Sequence, residues 1–132
     1  KNPRFARYVR EGRAFGPHGE DLVIADSIED YDDAVSRELT KLTVNANMQV
    51  RELGYKPYIA PALSSAAISI ILTMRGQWHY SSLYLGDREK GAFLGIKNRM
   101  TEEGSRYEDL PLCDSLYRRI KNAYLNLCGM ER

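Results

Sequence analysis

Cysteine is nearly absent: Cys113 and Cys128 are the only two in 132 residues. On one helix, a fifteen-residue separation places them about 22 Å apart, well beyond disulfide reach. Neither a bridge nor a four-ligand zinc site follows, and the cytoplasm or another reducing compartment is the expectation. Long apolar runs are also missing. The longest uncharged stretch, Pro57 to Met74, contains two prolines and four Ser/Thr residues, and it reads as a buried core segment rather than a membrane span. No membrane partner is expected. Lys rather than Met stands first, which suggests a processed or trimmed chain.

Histidine is as scarce, with His18 and His79 alone. The sequence contains no Gly-x-Gly-x-x-Gly, no phosphate-loop pattern, no HExxH and no Cys-x-x-Cys, so no cofactor and no metal is expected. Catalysis is therefore the minority reading. Net charge is small as well: 19 Lys+Arg against 18 Asp+Glu leave +1, and 43% of the residues are hydrophobic. That composition excludes a disordered chain and fits one compact domain.

What is present is an uneven placement of charge. Lys1, Arg4, Arg7, Arg10 and Arg13 recur at every third residue with only Glu11 against them. In an extended polyproline-type conformation, with three residues per turn, they would line one edge. Phe5 and Tyr8 lie between the cations, so the edge suits a phosphate backbone with stacked bases, or an acidic protein groove. The next segment, Ala14 to Ser36, has seven acids and no base. Four of them, Glu29, Asp30, Asp32 and Asp33, fall where a helix N-terminus favours negative charge, with Asp26 or Ser27 as the cap.

Periodicity supplies the skeleton. After the Gly16-Pro17-His18-Gly19 turn, Leu22 to Ala25 reads as a strand. Ile28, Tyr31, Val35, Leu39, Leu42, Ala46, Val50 and Leu53 then mark a helix of about 26 residues, closed by Gly54 and Pro57. Ala60 to Met74 reads as an all-round apolar helix, hence central, with a strand over Ile68 to Met74 as the rival. Gln77–Leu85 alternates in strand fashion, Gly86–Gly91 is a polar turn and Ala92–Ile96 can return as the partner strand, which predicts a β-hairpin. Residues 97–109 read as a loop with a helical turn. A last helix follows Asp109 and Pro111, with Leu112, Leu116, Ile120, Ala123 and Leu127 inside and Arg118, Arg119 and Lys121 as a basic outer patch beside Tyr117 and Tyr124.

Nine tyrosines and one tryptophan are the other strong signal, and Tyr55, Tyr58, Trp78, Tyr80, Tyr84 and Tyr107 suggest an aromatic contact surface. Together these features predict an α+β domain over residues 20–132 behind a basic arm and turn at 1–19. The functional expectation is a non-catalytic subunit or interaction module of a larger homo- or hetero-oligomeric assembly. Lys1, Arg4, Arg7, Tyr8, Arg10, Arg13, Trp78, Tyr80, Arg118, Arg119 and Lys121 would contact nucleic acid or an acidic protein surface. Two alternatives accompany it: a small phosphodiester hydrolase using His18 and His79, and an inhibitor whose acidic block mimics nucleic acid.

Overall fold

The computed structural model describes residues 6–55 and 60–130, the side chains of 60–63 and 130 excepted. Its elements run α1 Tyr8–Glu11, β1 Arg13–Phe15, β2 Val23–Ala25, α2 Asp33–Val44, α3 Ala46–Glu52, α4 Ala60–Met74, β3 His79–Gly86, β4 Gly91–Thr101, β5 Gly104–Tyr107 and α5 Asp114–Met130. The fold class is α+β. β1 pairs antiparallel with β2, and β3, β4 and β5 form an antiparallel meander. A bridge between Gly16 and Gly95 links the two sheets, with the Gly16 amide donating to the Gly95 carbonyl at 2.9 Å.

The β3–β4 hairpin forms where alternation predicts it, in the register His79 opposite Asn98 through Gly86 opposite Gly91. Its turn is held by Asp87, whose Oδ1 accepts the Glu89 and Lys90 amides at 2.8 Å each. β4 does not stop at Ile96. It runs to Thr101 and turns through Glu102-Glu103 into β5, so residues expected as a loop are strand. Those four β5 residues are largely exposed and polar, and an edge strand with no buried face leaves no hydrophobic alternation to read.

The 26-residue helix is in fact two. It starts at Asp33, because Asp32 accepts the Ala34 and Val35 amides at 2.9 and 3.0 Å, and Asp26 and Ser27 bond elsewhere. It breaks at Asn45, whose side-chain amide donates to the Lys41 carbonyl at 2.8 Å and so competes with the helical ladder. Beyond the break, Ala46, Val50 and Leu53 face solvent instead of the core.

Residues 8–15 form a helical turn and a strand, so the extended cationic edge is not what the chain adopts there. Lys1 and Arg4 lie outside the described residues. α5 begins at Asp114, later than expected, and buries the predicted stripe: Leu116 is 0% exposed and Ala123 3%. Phe15, Val23, Ala25, Ile28, Ile96 and Leu116 form the core, with Tyr31, Leu83, Leu110, Leu112 and Ile120 packed around it. α4 is helical as predicted but not central. Among the described side chains of α4, Ser69, Leu72 and Thr73 are half-buried on the hairpin side, whereas Ile68, Ile70, Ile71 and Met74 are exposed.

Candidate functional site

Two of the arm's cations, Arg7 and Arg13, are occupied within the fold. Arg7 donates to the buried carboxylate of Asp26, and to Asp30 through Oδ2 at 2.6 Å and the backbone carbonyl at 2.9 Å. The Asp26 bond, with Asp30 second, holds the Arg7 guanidinium further above its ordinary range. Asp26 also accepts the Asp32 amide at 3.2 Å, which ties the acidic segment into a loop ahead of α2. Arg13 grips Glu108 bidentately, Nε to Oε2 at 2.6 Å and Nη2 to Oε1 at 2.9 Å, with Lys97 Nζ 3.4 Å from the same carboxylate.

Those bonds set the sign of a pH effect. The Arg13 hydrogen bonds, against opposing desolvation, hold Glu108 below the usual carboxylate range. A folded-state pKa below the unfolded one stabilises above the ordinary glutamate value, and the contribution is lost as pH falls through the depressed folded value. Glu108→Gln should therefore cost about 1 kcal/mol at neutral pH after allowance for solvent screening. The gap between wild type and variant should narrow as pH falls below the ordinary glutamate range. Urea unfolding of both proteins at pH 7 and pH 3 checks this, and a gap of equal size at both pH values contradicts it.

The other predicted contact residues are scattered. Tyr80 lies within electrostatic reach of Arg13 and Tyr8, and desolvation raises both phenols. Arg10 is exposed and lines a cleft of about 450 Å³ with Glu11, Arg13, Ser27, Ile28, Glu29, Leu110 and Pro111. Trp78 lies elsewhere, beneath the Arg99 guanidinium at 4.8 Å. On α5, Arg118 and Lys121 are exposed, but the Arg119 side chain is only 15% exposed and donates to Tyr31 Oη at 2.7 Å and Ser36 Oγ at 2.6 Å. Tyr58 falls outside the described residues.

The two histidines differ sharply. His79 is 6% exposed and enclosed: Nδ1 faces the Gln77 carbonyl at 3.1 Å, and Nε2 faces Thr73 Oγ1 at 2.9 Å and Ser81 Oγ at 3.2 Å. Asn98 donates to Ser81 Oγ at 2.8 Å and completes that network. His18 is exposed on the loop between β1 and β2. This loop is pinned at both ends, by the Gly16–Gly95 bridge and by Asn126 Nδ2 donating to Asp21 Oδ2 at 3.0 Å. Gly16 and Gly19 bracket it at φ +100° and +115°, values that a side chain would strain. His18 is thus held out to solvent on a fixed loop.

No protein-family model matches the sequence, and no curated protein does. Solved structures share the fold. A malate dehydrogenase from Archaeoglobus fulgidus, solved with NADH, aligns at 20% identity and a TM-score of 0.60, over 94% of this chain and 46% of that one. A malate dehydrogenase from Aeropyrum pernix aligns at 19% identity and a TM-score of 0.64, over 96% of this chain and 50% of that one. This chain therefore spans about half the length of the structures it resembles.

That likeness corrects the expected function. The fold is one found in half of a dehydrogenase, not one that points to a non-catalytic assembly module or a nucleic-acid-binding arm. The physical reason is internal pairing: Arg7 and Arg13 are bonded to acids and Arg119 is largely buried. The mimic reading fails likewise, since Asp26 and Asp30 hold Arg7, Asp32 caps α2, and Asp33 holds Arg37 at 2.6 Å. The hydrolase reading loses one of its pair, because His79 is buried with both ring nitrogens engaged. Among the described residues, no helix is long and apolar enough to cross a membrane.

Proposed function

We propose that this chain is the substrate-side half of a dehydrogenase that oxidises a 2-hydroxy acid of the malate class. The observation that carries the reading is a fold match along nearly the whole chain to malate dehydrogenases. Its own strands argue for this half rather than the nucleotide-binding one. Dinucleotides bind at the carboxyl ends of parallel strands beside a glycine-rich turn, whereas every strand pair among the described residues is antiparallel and the glycine pattern is absent. These residues do not fit NADH, and the cofactor would be held outside them.

Oxidation of a secondary alcohol needs a base for the hydroxyl proton, and histidine commonly serves near neutral pH. His18 is the histidine available for it, since His79 is enclosed. Arg10 has no ion pair among the described residues and is a cation suited to a substrate carboxylate. The test is NMR observation of the His18 ring during titration with L-malate, with succinate and NADH in parallel. Malate should move the His18 resonance saturably, and more than succinate, which lacks the hydroxyl, while NADH alone leaves it in place. A His18 signal unmoved by malate at tens of millimolar would sink the reading.

A further inference from the structure

Another cleft, of about 340 Å³, opens where α2 and α5 meet the loop between β1 and β2. α2 lines it with Arg37, Thr40 and Lys41, whose spacing of three and four residues sets them on one helical face. α5 adds Arg119, and the loop adds Glu20. Three cations thus share a small space with one lining carboxylate. Arg119 is the fixed member, with a side chain only 15% exposed. Its Nη1 donates to Tyr31 Oη at 2.7 Å and Ser36 Oγ at 2.6 Å, and stands 3.6 Å from Asp33 Oδ1. Tyr31 spends its own proton on Asp33 at 2.8 Å, and Ser36 spends its proton on the Ile24 carbonyl. Both hydroxyls therefore face Arg119 as acceptors, and the guanidinium is held in place before a ligand arrives. Nε and Nη2 of Arg119 make no hydrogen bond among the described residues. Asp33 also accepts Arg37 Nε at 2.6 Å, so one carboxylate serves two guanidiniums. Lys41 and Glu20 are exposed, and neither has an ion pair among the described residues.

We infer that this cleft binds a phosphate group, free or carried by a small molecule. Three cations from two helices suit an anion whose oxygens point in three directions, whereas a carboxylate offers two oxygens in one plane. The guanidiniums of Arg37 and Arg119 are forks that can each meet a pair of oxygens, and Lys41 is a mobile point charge beside them. The space equals roughly ten waters at about 30 Å³ each, enough for a phosphate and a small organic group attached to it. Glu20 works against the anion, so its charge should lower the affinity. None of these side chains serves the malate reading, and the two stand or fall separately.

The test is an NMR titration of the full chain with sodium phosphate at about pH 7, where a phosphate monoester is largely doubly charged, with ionic strength held constant by sodium chloride. The Arg119 Nε–H and the Thr40 and Lys41 amides should shift saturably. Lys41→Gln should weaken binding about fivefold and Glu20→Gln should tighten it, as expected for removing one near charge of either sign. Both positions are exposed, so circular dichroism should show each variant folded. Lys121→Gln, exposed on the same helix as Arg119 but outside the cleft, should leave the affinity unchanged. Acetate should bind more weakly than phosphate. Glycerol phosphate separates the two sources: tighter binding than phosphate assigns the cleft to a phosphomonoester, and no tighter binding assigns it to free phosphate. Shifts that stay linear in phosphate to about 50 mM, equal weakening by Lys41→Gln and Lys121→Gln, a Glu20→Gln variant no tighter than wild type, or acetate binding as well as phosphate each overturns the proposal.

Discussion

Leu116→Ala should destabilise the protein by about 2–5 kcal/mol, the range for large-to-small changes at sites that cannot collapse. Leu116 is completely buried and meets Phe15, Val23, Ala25, Ile28 and Ile96 in the core. Its neighbours are held by strand pairing on two sheets: Val23 and Ala25 in β2, and Ile96 in β4. They cannot all close on the vacated volume, so a cavity persists and adds to the lost transfer energy. Against a typical total of about 5–15 kcal/mol this is a large share, and Tm should fall by roughly 10 °C or more. Urea unfolding with an unchanged m-value is the check. Leu125→Ala, at an exposed position on the same helix, should stay within about 0.5 kcal/mol. A loss below 1 kcal/mol at Leu116 would mean that α5 does not seat on both sheets.

The second large effect is expected at Gly95. A Cβ built there stands 2.7 Å from the Gly16 carbonyl oxygen. The obstacle is backbone, so no rotamer relieves it. Gly16 cannot retreat easily either, since it already sits at φ +100° with the Asp21 carbonyl behind it. Gly95→Ala must therefore push β1 away from β4. The variant should cost about 1–3 kcal/mol as an over-packed site, and more if the Gly16–Gly95 hydrogen bond breaks. Because that bond anchors one end of the His18 loop, the Gly16 amide should lose hydrogen-exchange protection and the His18 ring resonance should shift. Gly129→Ala is the matched control. It lies in α5 with open space around its Cβ, and the change should stabilise by up to about 1 kcal/mol. Equal stability of Gly95→Ala and wild type would show that β1 does not cross β4 so closely.

Some of the proposed site is legible in the residues. The turn Gly16-Pro17-His18-Gly19 and the strand behind it could be read because glycine and proline punctuate locally, and His18 drew attention there. A pairing of His18 with His79 fails because nothing along the chain distinguishes an exposed histidine from an enclosed one. Glu108 gave no signal at all. It lies 95 positions from Arg13, and a single acid in a polar stretch looks like any other.

The residues by themselves determined the α4 and α5 helices, the β3–β4 hairpin, the β2 strand and the buried stripe through Leu116. Each is a matter of side-chain period and turn chemistry within about fifteen positions, where the backbone geometry is regular. Only the tertiary structure decided that Arg7 and Arg13 are consumed by Asp26 and Glu108, that Asn45 splits the long helix, and that α4 stands bare. A period shows which side chains share a face. What stands opposite that face, acid, sheet or solvent, depends on segments far away in sequence, and so does whether a charge is available for a ligand.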